Sequence, residues 1–226
     1  MNINILEFLL SNENYLKDFI TRSTYHSNAI EGNTLSYAET YALIYNDNSF
    51  KIEGKEPREI YEAINHKKAL AILFEYLKEK KDLDDRFIKT LNETINQDIK
   101  NTEGYRKIQV FVNGSSHIPP APEKIPNLMN YYIYNYNHAT EEIFEKIAKY
   151  HIEFEKIHPF EDGNGRTGRL LINYELIKNN ISPIVIPKEE RTKYFEFLQN
   201  HDINGLASWF KELSESESER IKSFIN

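Results

Sequence analysis

A chain of 226 residues is long enough to bury a core without staples, and its lack of cysteine excludes disulfides, thiolate catalysis and cysteine-ligated metal centres, as suits a reducing cytoplasmic setting. Lys and Arg total 28 against 35 Asp and Glu, a net charge of -7, so the basic face of a general nucleic-acid binder is not expected. Hydrophobic residues at 40% and charged residues at 28% suggest a soluble globular chain; no run approaches the ~18 apolar residues of a membrane span, and the N-terminus lacks the basic region of a signal peptide.

Most of the chain reads helical. A rough 3.6-residue stripe of Ile5, Phe8, Leu9, Tyr15, Leu16 and Phe19 predicts a first helix over about 5–23. Gly32 looks like a helix stop, and Ser36 with Glu39 forms the capping box of the next helix. A long amphipathic helix is expected over about 58–80 and a shorter one over 87–97. The pattern then changes: Ile108, Val110 and Val112 alternate with Gln109 and Phe111, and Asn113-Gly114 is a strong hairpin-turn signal. Helices resume over about 125–136 and 140–156. The acidic run Ser214 to Glu219 reads as a solvated helix face or frayed terminus.

The informative stretch runs from His158 to Arg169, His-Pro-Phe-Glu-Asp-Gly-Asn-Gly-Arg-Thr-Gly-Arg. Pro159 ends the preceding helix, because the residue before proline is pushed out of the α region. A new helix is expected to open near Arg166. Its free N–H groups and dipole favour anions. Arg166 and Arg169 share one helix face and can both donate to phosphate oxygens. Asp162 offers a hard oxygen suited to Mg²⁺, and His158 titrates near neutrality beside it. These groups point to phosphoryl or nucleotidyl transfer. Rival readings fit less well. Gly163 to Gly168 matches a dinucleotide fingerprint, but the segment before it reads as a helix and not a strand. No Lys-Ser/Thr follows Gly168, so it is not a phosphate-binding Walker loop. His151, Glu155 and His158 resemble half of a di-iron motif without the other half. The bland alternative is a tight turn between core helices.

At these residues the chain resembles the Fic (filamentation induced by cAMP) family, whose pattern His-Pro-Phe-x-(Asp/Glu)-Gly-Asn-(Gly/Lys)-Arg is filled from His158 to Arg166, with Arg169 as a second arginine. The resemblance implies a single, mainly α-helical domain with one β-hairpin flap. It would divide into an N-terminal inhibitory segment over about 1–50, a core over about 51–212 and an acidic tail over about 213–226. It implies transfer of AMP from ATP, with Mg²⁺, to a Tyr, Ser or Thr hydroxyl of a target protein or of the chain itself. His158 would be the general base and Asp162 the metal ligand. Gly163, Asn164 and Gly165 would form the anion hole, Arg166 would bind the phosphate tail, and Arg169 would grip the γ-phosphate. The flap, with Ile108, Val110, Val112, Asn113 and Gly114, would dock an extended target segment by strand addition. Tyr194, Phe195 and Asp202 are candidates for the adenine wall. Homodimers occur in this family, and neither nucleic acid nor membrane is an expected partner.

Ser27-x-x-x-Glu31-Gly32 matches the family's inhibitory pattern in the subclass, class II, whose brake precedes the core. Ser27 and Glu31 share a helix face, and a carboxylate near a helix C-terminus calls for a cationic partner. The resemblance assigns that partner to Arg169. Other outcomes are removal of AMP at the same site, transfer of another nucleotide or phosphate group, or a non-catalytic nucleotide-sensing module.

Overall fold

The computed structural model describes residues 3–47, 52–100, 103–112 and 117–225. The chain is built from helices. In order they are α1 (Ile5–Ser11), α2 (Glu13–Ile30), α3 (Tyr37–Tyr45), α4 (Pro57–Lys78), α5 (Asp85–Ile95), α6 (Ile125–His138), α7 (Ile143–Ile157), α8 (Asn164–Lys178), α9 (Arg191–Asn200) and α10 (Ile203–Ser223), with short 3₁₀ turns before α6 and α9. Among the described residues no helix is long and apolar enough to cross a membrane.

The capping box at Ser36 forms as read: Ser36 Oγ accepts from Glu39 N, and Glu39 returns the bond to Ser36 N. The single helix expected over 5–23 is instead two. Asn12 breaks it, because its backbone turns extended (φ -100°, ψ 93°) and its side chain caps Tyr15 N at 3.0 Å. α2 then continues past Ser23 to Ile30, and Gly32 ends it at φ +101°.

α8 runs through the middle, with every residue from Arg166 to Ile177 buried. One apolar cluster joins α1, α2, α4, α5, α6 and α7 around Tyr15, Leu70, Leu91 and Phe154. A second joins α7, α8, α9 and α10 around Leu176, Tyr194, Trp209 and Phe210. The two clusters leave the N-terminus of α8 facing the end of α2 and the start of α4, which is what makes a site there.

The hairpin expectation is corrected, and the acidic-run expectation holds in part. The described residues contain no β-strand, so Ile108, Val110 and Val112 do not form a hairpin strand; Asn113 and Gly114 lie outside the described residues. The reason is competition for carbonyls. The buried Arg106 donates to the carbonyls of His158, Ile108 and Pro120, and Gln109 Nε2 donates to those of Val110 and Pro119. Side chains thus occupy acceptors that a ladder would need. The acidic run forms a helix face, with Glu215, Ser216 and Glu219 exposed, but not every residue of it is solvated. It lies inside α10, where Ser214 and Glu217 are buried, Ser214 on the Ser182 carbonyl and Glu217 on Tyr15 and Arg22.

Candidate active site

α7 ends at His158, whose backbone is left-handed at φ +48°. Few non-glycine residues adopt this conformation, and it turns the chain sharply into Pro159. Arg106 Nε and Arg106 N hold the carbonyls of His158 and Pro159 at 2.8 and 2.9 Å, which fixes this turn. Asn164 locks the loop beyond it: its amide accepts from Phe160 N and donates to Phe160 O, both at 2.9 Å. Asn92 of α5 and Asn96, its C-cap, donate to the Asp162 carbonyl at 2.8 and 3.2 Å. A Cβ on Gly163, which sits at φ +77°, would come within 3.0 Å of both asparagine amides.

The first intrahelical bond of α8 runs from Thr167 N to Gly163 O at 2.9 Å. The N–H groups of Asn164, Gly165 and Arg166 precede it and stand outside the ladder, at the positive end of the helix dipole. Here Asn164 contributes only its backbone, since its side chain is spent on the loop. Arg166 is 1% exposed; its Nη2 lies 3.1 Å from Asp162 Oδ1 and its Nη1 3.3 Å from Glu62 Oε1. Asp162 also receives Arg58 Nη2 at 2.7 Å and its neighbour Gly163 N at 2.6 Å. Burial pushes the Asp162 carboxyl up, but Arg166 and Arg58 outweigh it and hold the group below the usual carboxylate range.

Arg169 faces α2. Its Nε donates to Ser27 Oγ at 3.0 Å, and its Nη2 donates to Ser27 O at 2.9 Å and Glu31 Oε1 at 2.7 Å. Burial opposes its charge, and the Glu31 carboxylate more than restores it. Arg191 Nε donates to the Ile30 carbonyl at 2.7 Å, so a second cation meets the C-terminus of α2. Glu31 reaches over Gly165: a Cβ there would overlap Glu31 Oε1. The sequence motif and the upstream Ser27/Glu31 pair therefore meet at one point.

His158 is mostly buried, and burial, aided by the Arg106 cation, pushes its pKa below the usual histidine range. Its Nδ1 faces the Glu155 carbonyl at 3.3 Å, an acceptor. That contact assigns the proton to Nδ1 and leaves Nε2 with its lone pair. Glu155, with Oε2 3.9 Å from His158 Nδ1, is pushed up to about 8 by burial and by Glu31.

Tyr194, a candidate for the adenine wall, has no exposed face, and its ring lies 5.9 Å from the Arg169 guanidinium. It is fully buried in the second cluster, with its hydroxyl 2.7 Å from His151 Nε2. His151 is thereby a core partner of Tyr194. Phe195 is half-buried against Arg191, 4.6 Å from its guanidinium, and Asp202 caps α10 by accepting from Gly205 N at 2.8 Å. Ile108 and Phe111 are exposed, and Val110 and Val112 half-buried. Glu62, Arg58, Asn33 and Asn92 were not singled out from the sequence as site residues, and Glu155 only as part of a rival metal motif. Each is a polar position on or beside an amphipathic helix, where the pattern reads as solvated surface.

Residues 82–176 match the family described as Fic/DOC. A Fic domain containing signaling protein from Bacteroides thetaiotaomicron superimposes with a TM-score of 0.84 at 27% identity, covering 96% of this chain and 90% of that one. Residues 82–176 form a Fic/DOC domain. Fic-1 from C. elegans is similar at a TM-score of 0.78 and 26% identity over 97% of this chain and 67% of that one. Proteins named Protein adenylyltransferase Fic from Drosophila sechellia and Aedes aegypti are each 33% identical over 81% of this chain. The chain spans 37% of the length of these curated relatives.

Proposed function

We propose that this Fic chain is a protein adenylyltransferase that moves AMP from ATP to a Tyr, Ser or Thr hydroxyl and is restrained by Glu31, as in the subclass whose brake precedes the core. One observation carries the reading: His158, the α8 N-terminus, Arg166 and Arg169 converge on one loop, and Glu31 holds Arg169 at its edge. The curated relatives' names support the choice of AMP.

The hydroxyl gives its proton to His158 Nε2 as its oxygen bonds to the α-phosphorus. The bond from that phosphorus to the bridging oxygen breaks, and pyrophosphate leaves. The α8 N–H groups and Arg166 meet the charge that builds on phosphate oxygens, without reorganising. Arg169 serves the terminal phosphate once Glu31 has let it go. Among the described residues no group of three or more His, Asp or Glu side chains is arranged to hold a metal. Asp162 nonetheless fits Mg²⁺ that arrives on the nucleotide: it is a hard oxygen donor kept ionised by its arginines, and Arg58 is exposed enough to withdraw. Such an ion would supply Lewis-acid neutralisation of phosphate charge. A cytoplasmic setting is consistent with the absence of cysteine.

The test is incorporation of labelled AMP by the wild type, Glu31→Gly, His158→Ala and the double variant. Glu31→Gly should exceed the wild type. His158→Ala should fall by about 10²–10⁴-fold, the usual contribution of a positioned base. Label on the double variant at the Glu31→Gly level would remove His158 as the base, and equal incorporation by Glu31→Gly and wild type would remove the brake.

A further inference from the structure

Glu62 is a carboxylate that the chemistry outlined above does not use. It sits on α4, 5% exposed, and its two oxygens serve two different parts of the chain. Oε2 accepts from Asn33 Nδ2 at 2.9 Å, two residues beyond Glu31. Oε1 lies 3.0 Å from Arg58 Nε and 3.3 Å from Arg166 Nη1. Arg58 continues to Asp162 Oδ2, and Asp162 Oδ1 returns to Arg166. The result is a closed square of two carboxylates and two guanidiniums at the mouth of the anion cradle. Within it Arg166 and Glu62 are the buried corners, and Arg166 Nε and Nη1 make no hydrogen bond among the described residues. The position of Arg166 therefore depends on the two flanking carboxylates.

The geometry points to Glu62 as a positioning residue: it sets the Arg166 guanidinium for phosphate and, through Asn33, ties that setting to the segment leaving the α2 brake. The inference rests on the transfer reaction proposed above. It has a kinetic signature. Glu62 adds negative charge where a polyphosphate must arrive, so it weakens ground-state binding. It also preorganises a cation that counts most as charge develops, so it speeds the reacting step. Removing its charge while keeping its shape should split the two effects. A purely structural residue would lower the folded fraction, and with it kcat, at unchanged KM.

The experiment uses Glu31→Gly as the active reference and adds Glu62→Gln, with labelled ATP and Mg²⁺ and with ATP titration calorimetry on the same proteins. The expected result is a tenfold or greater fall in kcat, with the KM for ATP and the calorimetric Kd lowered two- to fivefold. Unchanged kcat, or a fall in kcat with neither KM nor Kd lowered, would overturn the inference. If Glu62→Gln does not fold, Glu62→Asp takes its place, since it keeps the charge and shortens the reach by a methylene. A fivefold loss of kcat at unaltered circular dichroism then supports the role, and reference-level kcat refutes it. Should neither variant fold, Glu62 is a residue of the fold and the inference falls. No label on Glu31→Gly itself would refute the transfer reading. Glu62 is then judged by calorimetry alone, where ATP affinity no tighter in Glu62→Gln overturns its opposition to polyphosphate.

Discussion

Gly165 shows how tightly Glu31 is seated. A Cβ at this position would overlap Glu31 Oε1 and come within 3.0 Å of Arg169 Nη1. Gly165→Ala must therefore displace Glu31, strain α8, or both, at a cost of about 1–3 kcal/mol. Thermal unfolding should report a fall of roughly 2–4 °C per kcal/mol for a chain of this size. In a Glu31→Gly background the same alanine has one fewer neighbour to meet, and its cost should shrink by at least ~1 kcal/mol. A double-mutant cycle measures this, and strictly additive effects would mean that Glu31 does not rest on Gly165 in solution.

At the scale of elements, α10 ties the two ends of the chain together. Glu217 is 5% exposed and receives Tyr15 Oη at 2.7 Å and Arg22 Nη1 and Nη2 at 2.9 and 2.7 Å, all from α2. Burial and the Glu217 charge push the Tyr15 hydroxyl well above its usual range, so it stays a donor. Glu217→Ala would leave a buried phenol and a half-paired guanidinium, and should destabilise the chain by about 3 kcal/mol in urea unfolding. Asp18 Oδ2 keeps its contacts to Arg22 Nε and Nη2, at 2.8 and 2.7 Å, which limits the loss. Glu219 on the same helix faces water, and Glu219→Ala should stay within about 0.5 kcal/mol. Equal effects of the two substitutions would show that α10 does not dock as described. Glu31 caps the C-terminus of α2, so the anchorage of α2 to α10 through Arg22 also fixes the approach of Glu31 to α8.

The whole molecule carries a pH signature set by buried groups of opposite sign. Glu155, facing Glu31, Arg169 and His158, is pushed up to about 8 by burial and by Glu31. The fold prefers its protonated form. Its contribution is intact below 4.5 and is lost as pH rises through about 8. His66 and His151 are pushed down to about 3 by burial and by nearby arginine charge. The fold prefers them neutral, so their contribution is intact above 6.5 and is lost as pH falls toward 3. Stability should peak near pH ~6.5, where the two histidine slopes end and the glutamate slope still runs. Glu155→Gln should flatten the fall between pH ~6.5 and ~8, a difference on the order of a few kcal/mol. Denaturant unfolding across pH checks it, and an unaltered alkaline limb in the variant would place the slope elsewhere.

What the sequence determined by itself is what local chemistry encodes. His158 to Arg169 is legible because proline stops, glycine turns and a helix start each act within a few residues. Ser27 and Glu31 are legible as one helix face for the same reason. What only the tertiary structure decided are the partners of those residues. Arg58 and Asp162 are 104 positions apart, Asn33 and Glu62 29 apart, and no periodicity links them. The full burial of Tyr194 was not legible, because a buried aromatic and a ligand-stacking one have the same local pattern. The hairpin failed for a related reason. Alternation and an Asn-Gly turn encode a strand's local preference, but pairing needs free backbone acceptors. Arg106 and Gln109 took several of them once Arg106 was fixed against the carbonyls around His158, a competition between segments that only the folded chain brings together.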